Sequence, residues 1–180
     1  MIPDLRLGVA VLTNQESGLA YESIVDQVLD YYIGVKALDY PGLFQQLRQR
    51  NRQKLKEATQ KAASTRDSTR GPSLPLAKYA GTYRDPWYGD VTITQDGDGL
   101  VIRFSHTPAL VGDLVHWQYD TFLARWRDRG LRADAYATFS LNPDGTVERL
   151  RMVPASDQVD FSFDFQDLVL KPVRDSTKVQ

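Results

Sequence analysis

Between Leu74 and Val173, apolar and polar residues alternate with period two, and turn-forming residues interrupt the alternation at intervals of about eight to twelve positions. Short half-buried strands joined by tight turns are what such a pattern can make, which confines this stretch to an antiparallel sandwich or barrel. Gln95-Asp-Gly-Asp-Gly99 separates Tyr88–Thr94 from Gly99–Phe104 as a hairpin loop. Asn142-Pro-Asp-Gly145 separates Tyr136–Leu141 from Thr146–Val153, with its proline and glycine placed for a type I turn ending in a left-handed residue. Asp113–Trp117 and Thr121–Trp126 form a further pair across Gln118-Tyr-Asp120, and Val159–Phe165 and Leu168–Leu170 close the set. About eight strands in about 100 residues match a small closed barrel, whose interior is just wide enough for side chains or one small ligand.

Upstream the pattern is different. Leu5, Leu7, Val9 and Val11 alternate with Arg6, Gly8, Ala10 and Leu12, which predicts a strand covered on both faces and therefore lying inside a sheet. Asn14 and Ser17 are cap-type residues, after which Tyr21, Ile24, Val25, Val28, Leu29 and Tyr32 recur at helical spacing up to Gly34, a natural stop. One strand and one helix cannot bury those faces against each other, so residues 1–40 call for a missing body or a dimer partner. Pro41-Gly42 punctuates the chain, and Leu43–Ala63 then holds strong helix formers with neither proline nor glycine. The apolar stripe of that helix is thin, and basic residues crowd the remainder. From 43 to 70 there are Arg48, Arg50, Arg52, Lys54, Lys56, Lys61, Arg66 and Arg70 against Glu57 and Asp67, about +6 locally. The polar run ending in Gly71-Pro72-Ser73 marks a boundary. The expected organisation is thus a strand and helix at 1–40, a basic helical linker at 41–73, an antiparallel barrel at 74–173 and a tail at 174–180.

The net charge of -1 argues against a nucleic-acid or membrane-surface partner for the chain as a whole, and the basic linker lacks stacking aromatics, so it reads as a solvated connecting helix. With no cysteine there is no disulfide, thiolate metal ligand or Cys nucleophile, which leaves the compartment open. No apolar run approaches the roughly 20 residues of a membrane-spanning helix.

Candidate ligand-binding residues are the aromatics Trp87, Trp117 and Trp126 and the guanidinium groups of Arg125 and Arg127. The tryptophans can build either a barrel core or an aromatic pocket, with core the favoured reading. The arginines flanking Trp126 can hold a carboxylate in a bidentate grip, unless Asp128 and Asp134 neutralise them. Phe161, Phe163 and Phe165 fall on one face of an expected strand, with Asp160, Ser162, Asp164 and Gln166 on the other. The phenylalanines read as core and the acids as solvent-facing, in preference to a calcium site, whose ligands converge from a loop. His106 and His116 stand ten apart with no third ligand at metal spacing, so no metal and no cofactor is expected. Ser-x-x-Lys, Tyr-x-Asn, Lys-Thr-Gly, Gly-x-Ser-x-Gly and phosphate-binding glycine loops are all missing from the 180 residues, and independent catalysis is not expected.

Leu7-Gly-Val-Ala-Val-Leu-Thr-Asn14 and the helix to Gly34 resemble the last strand and C-terminal helix of serine β-lactamase-like hydrolases, the group of class C β-lactamases, penicillin-binding-protein-like peptidases and related esterases. Leu76-Ala-Lys-Tyr-Ala-Gly-Thr-Tyr83, Tyr88-Gly-Asp-Val-Thr92, His116-Trp-Gln-Tyr-Asp-Thr-Phe122 and Asp160-Phe-Ser-Phe-Asp-Phe-Gln-Asp-Leu168 resemble the C-terminal domain appended to many bacterial members. The resemblance implies a lipocalin-like barrel and a parent enzyme that attacks amides, esters or lactams through an acyl-serine, with export to the periplasm or beyond. None of the family's catalytic motifs stands in this sequence, so no catalytic residue carries over. The expected role is a noncatalytic accessory domain whose partner is the parent's catalytic domain, tuning substrate access. The alternatives are a small-ligand-binding barrel and an oligomerisation module, the latter a homodimer through residues 1–40.

Overall fold

The computed structural model describes residues 1–14, 18–36, 38–156, 159 and 162–173. The chain divides into two compact units, Met1–Glu57 and Ala58–Gln180.

In the first unit the helices follow the sequence pattern. Helix α1 spans Gly18–Ile33 and stops at Gly34, whose φ of +74° admits a glycine without strain, while the Val35 N–H reaches back to the Asp30 carbonyl at 3.1 Å. Helix α2 spans Tyr40–Thr65. Pro41-Gly42 lies inside its first turn rather than ahead of it, because Asp39 caps the helix by accepting the Gly42 N–H at 3.0 Å and proline has no N–H to leave unpaired there. The Tyr40 hydroxyl donates to Asp30 Oδ2 at 2.7 Å. The expected strand at Leu5–Asn14 is not formed. Ile2 and Leu7 exchange a single bridge around a turn at Pro3–Leu5, and among the described residues no strand pairs with residues 8–12, so alternation alone cannot make them a strand. Leu12 is 97% exposed. The expected cap at Ser17 lies outside the described residues.

The second unit is mainly β. Eight antiparallel strands, β1 (Gly81–Asp85), β2 (Gly89–Asp96), β3 (Gly99–Phe104), β4 (Val111–Gln118), β5 (Thr121–Trp126), β6 (Ala135–Leu141), β7 (Val147–Pro154) and β8 (Lys171–Pro172), run in the order β7-β6-β5-β4-β3-β2-β1-β8. The first seven form an up-and-down meander. The last segment nearly closes it into a barrel, since Lys171–Pro172 pairs with β1 while Leu170 bonds to Leu150 of β7 in both directions, at 2.8 and 3.3 Å. Inward positions are buried on each of β1 to β7: Tyr83, Val91, Ile93, Leu100, Ile102, Leu114, Phe122, Trp126, Phe139, Leu150 and Met152 among them. Large and small residues alternate around the interior. Ala137 stands opposite Phe122 and Ala135 opposite Ala124 across the β5–β6 pair, and a Cβ on Gly112 would lie 2.8 Å from the Trp126 indole.

The expected strand at Val159–Phe165 is replaced. Among its described residues, Ser162–Asp164 has no regular structure and Phe165–Asp167 is a turn of 3-10 helix. Without a ladder to hold an extended backbone, the two-face alternation is lost ahead of the 3-10 turn, and Ser162, Phe163, Asp164 and Phe165 all line one cavity. Asp160 and Phe161 lie outside the described residues. The strand expected at Leu168–Leu170 begins at Leu170 instead, because Leu168 and Val169 are held elsewhere: Leu168 caps the 3-10 turn and the Val169 N–H donates to Asp85.

Candidate functional site

The hairpin register assigns the connections to the two barrel ends. The β1–β2 and β3–β4 turns, the β5–β6 loop and the segment after β7 lie at one end; the β2–β3, β4–β5 and β6–β7 turns lie at the other.

At the second of these ends the residues after α2 are anchored to the barrel. Arg66 donates to the carbonyls of Trp117 and His116 and lays its guanidinium over the Trp117 ring, 4.9 Å from the centroid. Trp117 in turn leans on Tyr136, with ring centroids 5.2 Å apart. The Asp67 N–H donates to Gln118, and the Ser73 N–H and hydroxyl both donate to the Asp120 carboxylate at 2.8 Å. Tyr79 donates its hydroxyl to the same carboxylate and accepts the Leu74 N–H, while Tyr83 donates to the Tyr79 carbonyl. Burial, then the hydrogen bond to Asp120, pushes the Tyr79 phenol well above its ordinary value. Burial opposes ionisation of Asp120, but the donors from Tyr79 and Ser73 outweigh it and hold the carboxyl below the usual range. Trp117 is therefore an anchoring residue at this end.

The first end is partly open. Asp85, 5% exposed, ties it together: Oδ1 accepts the N–H groups of Trp87 and Tyr88 at 2.8 and 2.9 Å, and Oδ2 accepts that of Val169 at 2.8 Å. Burial raises its pKa, the three backbone donors lower it, and the balance falls below the ordinary value. Beside this clamp is a half-open cavity of about 120 Å³ walled by Tyr88, Phe104, Leu110, Phe163, Phe165 and Leu168, with Thr107, Ser162 and Asp164 as its polar lining. Phe163 and Phe165 stack at 5.8 Å.

The five sequence candidates do not converge. Trp126 is 1% exposed, donates Nε1–H to the Ala133 carbonyl, and contacts Phe104 and Phe165 from behind the cavity wall, so it is a core residue. Trp87 is 87% exposed at the tip of the β1–β2 turn. Arg127 binds Asp113 through Nε and an Nη at 3.2 and 2.8 Å, while Arg125 is exposed on β5. Arg129 takes Asp134 in a two-pronged grip at 2.7 and 3.0 Å. The two histidines lie toward opposite barrel ends, His106 packed under Gly89 and His116 against the Tyr119 carbonyl. Among the described residues no group of three metal-ligating side chains converges. Sequence reasoning missed the cavity because its walls come from three separate stretches, and the alternation of 159–166 placed on opposite faces residues that the irregular backbone at 162–164 and the 3-10 turn after it bring to one cavity.

A family model, that of DUF3471, a domain of unknown function, matches residues 65–172, more than half of the chain. An unguisins hydrolase of Aspergillus campestris is 29% identical over 156 residues, covering 81% of this chain and 29% of the hydrolase. The chain thus spans less than a third of that relative's length. The crystal structure of the C-terminal domain of a penicillin-binding protein matches 61% of this chain and 94% of its own at 22% identity and a TM-score of 0.44.

Proposed function

The chain belongs to the DUF3471 family, and from that premise we propose that it is a noncatalytic accessory module of a β-lactamase-like serine hydrolase. In this reading residues 1–40 complete the hydrolase fold, 41–73 link, and the barrel of 74–173 tunes which substrates reach the catalytic domain. The observation that carries the proposal is the apolar surface of the first unit. Tyr21, Ile24 and Tyr32 of α1 and Leu43 and Leu47 of α2 are each at least 41% exposed, although their helical spacing is that of a core-facing stripe. Such a stripe is stable when a further body covers it, and the resemblance of residues 7–34 to the edge of a serine hydrolase supplies one. The extent of the similarity to the curated hydrolase supports the same reading. Of the about 146 residues of this chain that it covers, at most 116 fit between 65 and 180, so roughly 30 or more belong to the segment before the barrel. The similarity to a hydrolase therefore takes in α2 along with the barrel, which supports reading the two as parts of one larger protein. The missing Ser-x-x-Lys and Tyr-x-Asn elements support placing the acyl chemistry outside this chain.

The purified chain is expected to leave a chromogenic β-lactam and a p-nitrophenyl ester unhydrolysed. The hydrolase carrying it is expected to turn over at least one of them, with kcat/KM for large substrates changing when the barrel is deleted. Turnover by the purified chain above a denatured control would overturn the proposal. So would a full hydrolase indifferent to loss of the barrel for both small and large substrates. Light scattering with and without residues 1–40 tests the competing homodimer, which requires a concentration-dependent mass that disappears with the truncation.

A further inference from the structure

The end cavity has features that filling a barrel does not require. Its walls are four aromatic rings and two leucines, and its volume is that of one ring-sized group: engineered apolar cavities near 150 Å³ take up benzene. Its ionisable lining is Asp164 and the phenol of Tyr88. Asp164 accepts one long hydrogen bond, from Gln166 at 3.4 Å. Burial first raises the Tyr88 phenol above its ordinary value, and the carboxylates of Asp164, Asp167 and Asp85 raise it further, which places three negative charges near the cavity. The chain's own linker is anchored at the opposite end, through Arg66 and Ser73, and leaves this mouth uncovered by the residues that follow α2.

An aromatic recess with a carboxylate in its lining complements a cation with an apolar body. The ring is desolvated between Tyr88, Phe104 and Phe163, and the positive charge finds both Asp164 and the faces of the surrounding rings. An anion of the same shape meets the same carboxylates and is rejected. We propose that this cavity is a binding site for small primary ammonium compounds carrying a single aryl group. It goes beyond the accessory reading and does not depend on it.

The structure contains its own reporter. The Trp126 indole stacks on Phe165 at 5.9 Å and meets Phe104 edge-on at 5.8 Å, and both rings line the cavity, so occupancy is read as a change in Trp126 emission. The full chain carrying Trp87→Phe, which removes the exposed indole, is titrated at pH 8 with 2-phenylethylammonium, 2-phenylethanol and phenylacetate. Amide shifts at Tyr88, Phe104–Leu110 and Ser162–Leu168 are followed in parallel. The ammonium is expected to saturate in the millimolar range, as suits a ligand of about nine heavy atoms. The alcohol should bind about five- to tenfold more weakly and phenylacetate not measurably. Asp164→Asn should cost the ammonium about five- to tenfold and leave the alcohol unchanged. Thr107→Trp, at an exposed position, should close the mouth and abolish binding with the melting temperature preserved. If no ligand saturates, or if Thr107→Trp binds as the parent does, the site does not exist. If the alcohol and the ammonium bind alike and Asp164→Asn is silent, the ammonium specificity is wrong. None of these outcomes touches the turnover assay, so the two proposals fail separately.

Discussion

Replacing Asp85 with asparagine tests the clamp that nearly closes the barrel. The carboxylate is buried and receives three backbone N–H groups, two on Oδ1 from the β1–β2 turn and one on Oδ2 from Val169. Asparagine keeps one acceptor oxygen for Trp87 and Tyr88 but turns an NH2 toward the Val169 N–H, so two donors face each other. One charge-assisted bond is lost, a buried donor is left unpaired and the other two bonds become neutral, together about 2–3 kcal/mol. Asp85→Ala strands all three donors and should cost about 3–5 kcal/mol. With a urea slope of about 1.5 kcal/mol per M, the asparagine variant's midpoint falls by roughly 1.5 M, monitored by Trp126 fluorescence. The pH dependence has a definite sign. Because the folded carboxyl titrates below its ordinary value, the unfolded chain takes up the proton first as pH falls, near about 3.9. The stability this group provides is therefore full above that pH and drains away as pH falls through the folded-state value. The gap between wild type and Asp85→Asn should be constant from about pH 5 to 8 and close below about pH 4. A midpoint within about 0.3 M of wild type at pH 7, or a gap that persists undiminished at pH 3, would refute the assignment of the clamp to the ionised carboxylate.

Gly112→Val should destabilise the barrel by about 1–3 kcal/mol in the same urea assay, because a Cβ there meets the Trp126 ring at 2.8 Å and the Arg125 carbonyl at 2.9 Å. Arg66→Ala should speed proteolytic cleavage between residues 66 and 73 severalfold while lowering the barrel's stability by no more than about 1 kcal/mol, since the anchor holds the incoming chain rather than the core. If the proposed accessory role is right, Ile24→Lys with Leu47→Lys should leave barrel stability unchanged and weaken association with the catalytic domain of that proposed parent hydrolase, read by calorimetry. Asp120→Asn should loosen the Ser73 and Tyr79 contacts and lower barrel stability by about 1–2 kcal/mol at neutral pH, with the loss shrinking below about pH 4 because this carboxyl too is held below its usual range.

Much of this architecture can be read from residue order because its causes are local. The limits expected for β3 and β5 coincide with those observed, and those of β2, β4, β6 and β7 differ by one or two residues. In each of these strands one face is buried and the turn residues pin the register. Helices α1 and α2 follow from spacing and caps in the same way. The two expected strands that failed, Leu5–Asn14 and Val159–Phe165, have sound alternation, and alternation is necessary for a strand without being sufficient. A strand exists through hydrogen bonds to a neighbour, which periodicity cannot supply.

The site was less legible than the fold. Trp117, Trp126 and Arg127 were conspicuous as residue types, yet the first anchors the segment after α2, the second fills the interior and the third meets Asp113 across the β4–β5 pair. Asp85, among the most consequential polar groups, carries no mark in the sequence beyond a turn position, because its third donor, Val169, lies eighty-four residues away. Residue order by itself decided six strands, β2 to β7, with their turns and the approximate helix limits, all of which depend on contacts within a few residues, whereas β1 at Gly81–Asp85 was not among the expected strands and Val159–Phe165 was expected in error. Only the tertiary structure decided how the barrel nearly closes, which aromatic rings are spent in the core and which line a cavity, since those depend on distant segments meeting and on each ring being able to fill one place only.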